Sequence, residues 1–236
     1  MTLLELVTHL RQSILDDVGG TGVAWADITE DQTDVTQLRW SNEELTRFIN
    51  EAQKQACRSA FLIKTGSPTF AISVTAGTSE YTLDPRVINI KGAYLASTGR
   101  ELTEAEYEDV MGIPNWRTNA STPVYYITDM ETGTITLYPT PIIDDTVNLL
   151  VYRLPLADMD WEKAETDTAE IRADHQIDML FYAAFLAYNK DEANTFDPQR
   201  AEYYRQLFEK VFTSTSAYAD TRRSRTRNKS IRYQGL

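Results

Sequence analysis

Cysteine and histidine are nearly absent from this sequence. Its 236 residues contain one cysteine, Cys57, and two histidines, His9 and His175. One thiol cannot form an intrachain disulfide and suits a reducing compartment, and so few soft ligands exclude a structural Cys/His zinc site. His175 and Asp178 are spaced like two ligands on one helix face, but the same spacing is typical of a solvated histidine near a helix start. We predict no metal site.

Long apolar runs and catalytic motifs are also missing. No run of about 18 apolar residues is present, and the acid-containing start MTLLELVTHLRQ does not match a signal or transit peptide. The segment Gly19-Gly20-Thr21-Gly22 lacks the lysine of a phosphate-binding loop, and no Gly-x-Ser-x-Gly motif occurs. We therefore predict no membrane contact, no cofactor and no catalytic residues, which means a protein that is not an enzyme.

Acidic residues are absent from the end of the chain. All 35 Asp and Glu residues lie at or before Asp220, together with 17 of the 23 Lys and Arg residues, so this part carries a net charge of −18. The last sixteen residues carry +6. An acidic body repels DNA, whereas a basic end can bind an acidic surface. The six cations of that end are Arg222, Arg223, Arg225, Arg227, Lys229 and Arg232.

The most regular pattern in the chain runs from Trp40 to Lys64 and predicts a long amphipathic helix. Ser41 and Glu44 form a capping box at its start, and Gly66 and Pro68 follow its end. Its apolar residues recur at helical spacing, which predicts one buried face: Leu45, Phe48, Ile49, Ala52, Ala56, Ala60 and Ile63.

Three further helices are predicted around it. The first covers residues 3–17 and is followed by a long polar loop over residues 19–39. The third begins at Ala169, and its apolar face comprises Ile177, Leu180, Phe181, Ala184, Phe185 and Tyr188. The last begins with Asp197 as N-cap and Pro198 at the first helical position, and it fades at residues 213–216. Its apolar face comprises Tyr203, Tyr204, Leu207, Phe208, Val211 and Phe212.

Between the second and third helices the apolar period changes from 3.6 to 2, which predicts about six short, mostly antiparallel strands. Residues 69–74 and 80–83 read as a hairpin, and residues 124–128 and 134–138 as a second one. Residues 87–95 and 146–154 read as two longer strands, with Gly92 as a bulge in the first. A capping box of Thr103 and Glu106 predicts a short helix over residues 103–111.

The predicted fold is α+β, with a four-helix body, an inserted small antiparallel β-domain and an extended basic C-terminal arm. The predicted domains are residues 1–65 plus 169–218 for the body, 66–160 for the insert and 219–236 for the arm.

The chain resembles the head-to-tail adaptor (connector) proteins of tailed bacteriophages, the group that includes the podophage tail tubular protein A. The resemblance rests on the layout of the helices, on the basic C-terminus and on five short segments. These are Trp40–Leu45 with Phe48–Ala52 after it, Tyr81–Pro85 with Val87–Ile88, Pro123–Ile127, Ile135–Pro141 and Val151–Arg153.

The resemblance implies a structural virion protein. Such adaptors form a ring, commonly of twelve subunits, below the portal protein, continue the DNA channel, and provide the platform for the tail or nozzle protein. DNA would pass through without sequence-specific contact, and the protein would be made in the host cytoplasm and act in the virion neck. Carried over to this sequence, the portal-binding residues are Arg222, Arg223, Arg225, Arg227, Lys229, Arg232 and Tyr233.

Three alternatives remain open at this point. A tail terminator or head-completion protein of the phage neck would share the virion class but change the role. A nucleic-acid-binding module could use the basic end, although the charge of the body opposes it. A carboxylate-based hydrolase has acids available, but the sequence shows no pair at a defined separation.

Overall fold

The computed structural model describes residues 1–16, 39–66, 68–190 and 196–227, with side chains as far as Thr213. Within these ranges the fold is mixed α+β, with five α-helices and a curled eight-stranded sheet. The chain divides into two compact units, of which one comprises the described residues of Met1–Leu62 and Pro155–Leu236 and the other comprises Ile63–Leu154. All of the polar loop predicted over residues 19–39 except Arg39 lies outside the described residues.

The first helix, α1, spans Leu3–His9 and continues as a π-helical turn over Leu10–Leu15. The prediction of one regular helix over residues 3–17 is therefore wrong in its second half. The wider turn ends at Asp16, whose φ is 50°. Arg11 lies in this turn with a fully buried side chain, and its Nη2 donates to the Trp40 carbonyl at 2.7 Å. A local π turn re-aims side chains that a regular helix would direct elsewhere.

Helix α2 spans Asn42–Ala60. The predicted capping box is confirmed, since Ser41 Oγ accepts from the Glu44 amide at 3.1 Å and Glu44 Oε2 accepts from the Ser41 amide at 3.3 Å. The predicted end at Lys64 is wrong. Phe61 takes a left-handed conformation with φ of 52°, and the chain leaves the helix there. The apolar residue at position 63 continues the helical spacing but belongs to the first strand.

The buried side-chain amides of Asn50 and Gln53 bind the segment over residues 154–172, which lies between the last strand and the next helix. Asn50 pairs with the backbone of Met159 in both directions, donating to its carbonyl at 2.8 Å and accepting from its amide at 3.0 Å. Gln53 accepts from the Glu170 amide at 3.0 Å. These contacts fix the backbone at Met159 and at Glu170.

Helix α4 spans Ala173–Tyr188, and helix α5 spans Pro198–Arg227. In this unit α2 contacts α1, α4 and α5, and α4 contacts α5. Two residues of the predicted apolar faces are exposed instead: Ile177 at 43% and Tyr203 at 57%. Because α4 is apolar on almost every side, spacing alone does not identify its buried face, which is centred on Met179, Ala183 and Ala187.

The prediction that the last helix fades at residues 213–216 is wrong. The backbone is helical as far as Arg227, so residues 219–227, predicted to be an extended arm, continue α5. The remaining residues of the predicted arm, 228–236, lie outside the described residues. The run Thr213-Ser214-Thr215-Ser216 has low helix propensity, but four such residues inside a 30-residue helix cost too little to end it.

The second unit contains the sheet and the short helix α3, Tyr107–Met111. The strand order is β1-β8-β4-β5-β6-β7-β3, and β2 also pairs with β8. The bounds are β1 Ile63–Gly66, β2 Ile72–Val74, β3 Glu80–Thr82, β4 Val87–Leu95, β5 Glu101–Glu104, β6 Tyr125–Ile127, β7 Thr134–Tyr138 and β8 Asp145–Arg153. One apolar cluster fills its core: Phe70, Val74, Ile90, Ala93, Leu95, Leu102, Tyr126, Ile135, Leu137, Val147, Leu149 and Val151.

Two predictions for this unit are confirmed. Strands β6 and β7 form the expected antiparallel hairpin. The register of β4 on β8 shifts between Ile90 and Gly92, at the predicted bulge.

One other prediction for the sheet is wrong. Strands β2 and β3 do not pair with each other, because β2 pairs with β8 and β3 pairs with β7. The strands of the insert are mostly antiparallel, as predicted, with one parallel pair between β5 and β6. Period-2 alternation identifies a strand but not its partner, and the error concerns a partner.

The helix predicted from Thr103 begins later. Residues Glu101–Glu104 form β5. Its backbone groups are paired by hydrogen bonds such as that from the Thr103 amide to the Val124 carbonyl at 2.9 Å. Helix α3 then starts at Tyr107, whose amide donates to both carboxylate oxygens of Asp129 at 3.1 Å. A carboxylate distant in sequence therefore replaces the predicted Thr103 cap.

Candidate functional site

The candidate site is the basic end of α5, and the first half of that helix determines how firmly this end is held. The predicted N-cap is confirmed: Asp197 Oδ1 accepts from the amides of Gln199 at 3.1 Å and Arg200 at 3.0 Å. Pro198 occupies the first helical position, where its missing N–H costs nothing. The helix therefore starts at a defined residue.

A row of packed aromatic rings joins α4 to α5, and we call it the aromatic seam. Along it the ring centroids of Tyr188 and Tyr204 are 5.8 Å apart, those of Tyr182 and Phe208 are 5.0 Å apart, and Phe208 and Phe212 are 4.6 Å apart. Aromatic pairs add about 0.5–1.5 kcal/mol each beyond the area that they bury. The seam comprises Phe181, Tyr182, Tyr188, Tyr204, Phe208 and Phe212.

Two hydroxyl groups of the seam bind the end of the π turn. Tyr204 Oη donates to the Ile14 carbonyl at 2.9 Å, and Tyr188 Oη donates to the Leu15 carbonyl at 3.2 Å. These carbonyls close a helical segment and have no partner within it. Burial, with the nearby Tyr188 as a further cause, raises the pKa of Tyr204, which keeps its hydroxyl protonated as a donor.

Arg200 completes this anchor from the first turn of α5. Its Nη1 donates to Tyr188 Oη at 3.1 Å, and its guanidinium carbon lies 5.5 Å from the centre of the same ring. The Tyr188 hydroxyl thus accepts one hydrogen bond and donates another. The base of α5 is held by packing, hydrogen bonds and a cation–π contact together.

The exposed side of the same half-helix has its charges paired. Arg205 contacts Glu202 at 2.8 Å and Glu209 at 3.0 Å. The hydrogen bond from Arg205 lowers the pKa of Glu202 to about 2. This part of α5 therefore offers a partner little uncompensated charge, in contrast to the end of the helix.

The structure places four of the predicted portal-binding residues on the backbone of α5: Arg222, Arg223, Arg225 and Arg227. Arg223 and Arg227 are four positions apart, about one turn, and no acid follows Asp220. Cations in the last turn of a helix interact favourably with its dipole. Lys229, Arg232 and Tyr233 lie outside the described residues.

Sequence reasoning identified five of the six seam residues as apolar-face positions but missed what their hydroxyls do, and it missed Arg11 and Arg200 entirely. For Arg11 one signal was present: it stands four residues, about one helical turn, after the apolar Val7 in the first predicted helix. A cation at such a position is either exposed by a change in helix geometry or buried against acceptors, and here the π turn buries it.

Two features of the described residues bear on other kinds of site. No group of three or more His, Cys, Asp or Glu side chains suited to a metal ion occurs within these ranges. Across the same ranges, no helix combines the length and apolar character needed to span a membrane.

The sequence profile of the SU10 adaptor protein family matches residues 1–232. The chain belongs to the SU10 adaptor protein family. As a member of that family it is a structural adaptor protein of a bacteriophage, belongs to the virion and associates with other components of the phage neck, such as the portal and the tail. No curated protein matches the chain.

Proposed function

We propose that the chain is the head-to-tail adaptor of its phage, most similar in role to the podophage tail tubular protein A group. In this proposal twelve copies form a ring below the portal, continue the DNA channel and provide the platform for the tail or nozzle protein. The observation that carries it is the family match over residues 1–232. The helical body, the β-insert and the basic arm have separate tasks.

The arm contacts the portal. About 22 Å of helix follow Phe212, the last residue of the seam, before Arg227 is reached. A helix whose base is fixed can present cations at that distance without first ordering the chain between them, which lowers the entropic cost of binding. Arginine suits this role because its planar guanidinium binds carboxylates in a bidentate manner. The proposed contact residues are Arg222, Arg223, Arg225, Arg227, Lys229, Arg232 and Tyr233.

The insert faces the tail or the neighbouring subunits, and the acids of the body line the channel. With a net charge of −18 over residues 1–220, a channel wall built from this body would repel DNA and let it slide without sequence-specific contact. A ring structure with most acids on its outer surface would contradict this part of the proposal.

Binding of the full chain to purified portal rings tests the arm. Replacing Arg222, Arg223, Arg225 and Arg227 by glutamine should weaken binding at least tenfold and flatten its salt dependence, because four charge-assisted contacts are lost. The matched control replaces four exposed cations of the body, Arg47, Arg58, Lys163 and Arg172, by glutamine and should bind normally. Equal loss in both variants would mean that only total charge matters. Tight DNA binding that depends on the four arginines would favour a nucleic-acid-binding role instead.

A further inference from the structure

An acidic surface with exposed methionines lies on the sheet unit. Residues 101–131 contain seven acids and one cation, Arg117, whose guanidinium lies over the Trp116 ring at 5.2 Å. Within the described parts of the chain, none of Glu104, Glu108 and Asp109 makes an ion pair. A surface of one charge sign without internal partners attracts a ligand of the opposite sign.

The fold brings the parts of this surface together. Val110 of α3 packs with Ile127 and Tyr138 of the β6–β7 hairpin, and the turn of that hairpin reaches back to α3 through the bond between Asp129 and the Tyr107 amide. One side of α3 is thereby buried and the other is left in solvent.

Large apolar side chains stand exposed among these acids. Met111 is 54% exposed, Ile113 is 39% exposed and Met130, in the hairpin turn, is 37% exposed. We call the surface formed by Glu108, Asp109, Met111, Ile113 and Met130 the acidic–methionine face. Methionines adapt their shape to a partner, and a surface that combines them with carboxylates suits a segment that carries both cations and apolar residues.

One such segment is part of this chain. Residues 222–236 carry six cations and no acid, and they also contain Ile231, Tyr233 and Leu236. The two surfaces are complementary in charge and in apolar content. We propose that the acidic–methionine face binds the basic C-terminal segment of a second copy of the chain, and that the portal competes for the same segment.

This contact is heterologous, because it joins two different surfaces of two copies. Contacts of that kind run head to tail and close into rings when the rotation between copies allows it. The docking step stands by itself, whereas displacement by the portal rests on the proposed function. In free protein the segment would be held by a neighbouring copy, and on the portal it would be released.

Sedimentation velocity of the full chain without portal tests the docking step. At low salt the mean sedimentation coefficient should rise with protein concentration, and at about 0.5 M salt this rise should largely disappear. Replacing Glu108 by glutamine and Asp109 by asparagine should weaken self-association about fivefold to tenfold. Met111→Ser should weaken it through the apolar part of the face. The matched control, Glu162→Gln with Glu165→Gln, removes two exposed acids of the helical unit and should associate as the unchanged chain does.

A mixing experiment then tests whether two different surfaces meet. The Glu108/Asp109 variant keeps an intact segment, and the variant with Arg222, Arg223, Arg225 and Arg227 replaced by glutamine keeps an intact face. At a concentration where each variant alone is mostly monomeric, their mixture should form one-to-one pairs that do not grow. Three results would each overturn the proposal: an unchanged chain that stays monomeric, a face variant that associates normally, or a mixture that forms no pairs. If pairing occurs but the portal does not compete with it, the docking stands and the portal contact fails.

Discussion

The rings of Tyr188 and Tyr204 lie parallel, with an interplanar angle of 2° and centroids 5.8 Å apart, and their hydroxyls donate to consecutive carbonyls of the π turn. Helices α4 and α5, which are adjacent in sequence, thus both bind the end of the π turn. The cationic end of α5 depends on this anchor for its position.

Removing one of these hydroxyls tests the anchor. Tyr204→Phe keeps the ring but leaves the Ile14 carbonyl without its donor, so the free energy of unfolding should fall by about 0.5–1.5 kcal/mol. Urea unfolding at neutral pH measures this change. Tyr203→Phe, at the exposed neighbouring position, should change stability by less than about 0.5 kcal/mol. Equal effects at the two positions would mean that the hydrogen bond contributes nothing.

The buried arginine of the π turn should matter more. Arg11 Nε and Nη2 donate to Asn42 Oδ1 at 3.2 and 2.8 Å, so Arg11→Met leaves two buried acceptors, this oxygen and the Trp40 carbonyl, without that donor. We expect a loss of roughly 2–4 kcal/mol in denaturant unfolding. The control is Arg47→Met, since 75% of the Arg47 side chain is exposed, and it should cost less than about 0.5 kcal/mol. A near-neutral Arg11→Met would contradict the contacts described for the turn.

The hydrogen bonds between the Asn50 side chain and the Met159 backbone predict a local change in amide hydrogen exchange. Asn50→Ala removes both partners of the Met159 backbone, which should cost about 2–4 kcal/mol and raise the exchange rate of the Met159 amide more than tenfold. Lys54→Ala removes a neighbouring ion pair of 2.7 Å to Asp158, whose side chain is mostly exposed, and should leave that amide protected. Unchanged exchange in the Asn50 variant would show that other contacts hold the segment.

The ion pair between Asp84 and Arg86 predicts a pH dependence. Two hydrogen bonds from the Arg86 guanidinium, at 2.9 and 2.6 Å, lower the pKa of Asp84 from 3.8 to about 2. The stabilisation is therefore complete above pH 4 and is lost as the pH falls from about 4 to about 2. An NMR titration should place the carboxyl midpoint near 2, and Arg86→Gln should raise it toward 3.8. A midpoint that the substitution leaves unchanged would show that the pair does not persist in solution.

Local signals in the sequence were sufficient where a structure depends on neighbours along the chain. The Ser41–Glu44 capping box, the Asp197 cap and the hairpin around Gly133 each rest on residues within a few positions of one another, and each is found as predicted. The α+β class followed from the change in apolar period for the same reason, but about six strands were predicted and eight are found, since β1 and β5 lie partly in stretches that were predicted as helix.

Distant contacts account for most of what the sequence did not reveal. Strand β2 pairs with β8, some 70 residues away, and α3 takes its cap from Asp129, so neither partner is visible locally. The left-handed Phe61 ends α2 within an unbroken apolar spacing. At the candidate site the aromatic positions were predictable, but the two tyrosine hydroxyl contacts were not, because their acceptors are backbone carbonyls 173 and 190 residues earlier.

Electron microscopy of the phage's portal ring mixed with this chain tests the adaptor assignment most directly, comparing the full chain with the form in which Arg222, Arg223, Arg225 and Arg227 are glutamine. We predict a ring of twelve copies capping the portal with the full chain, and bare portals with the variant. Bare portals in both samples would contradict the adaptor assignment and favour a tail terminator or head-completion role. Capped portals in both would keep the adaptor and show that the arginines are not its anchor.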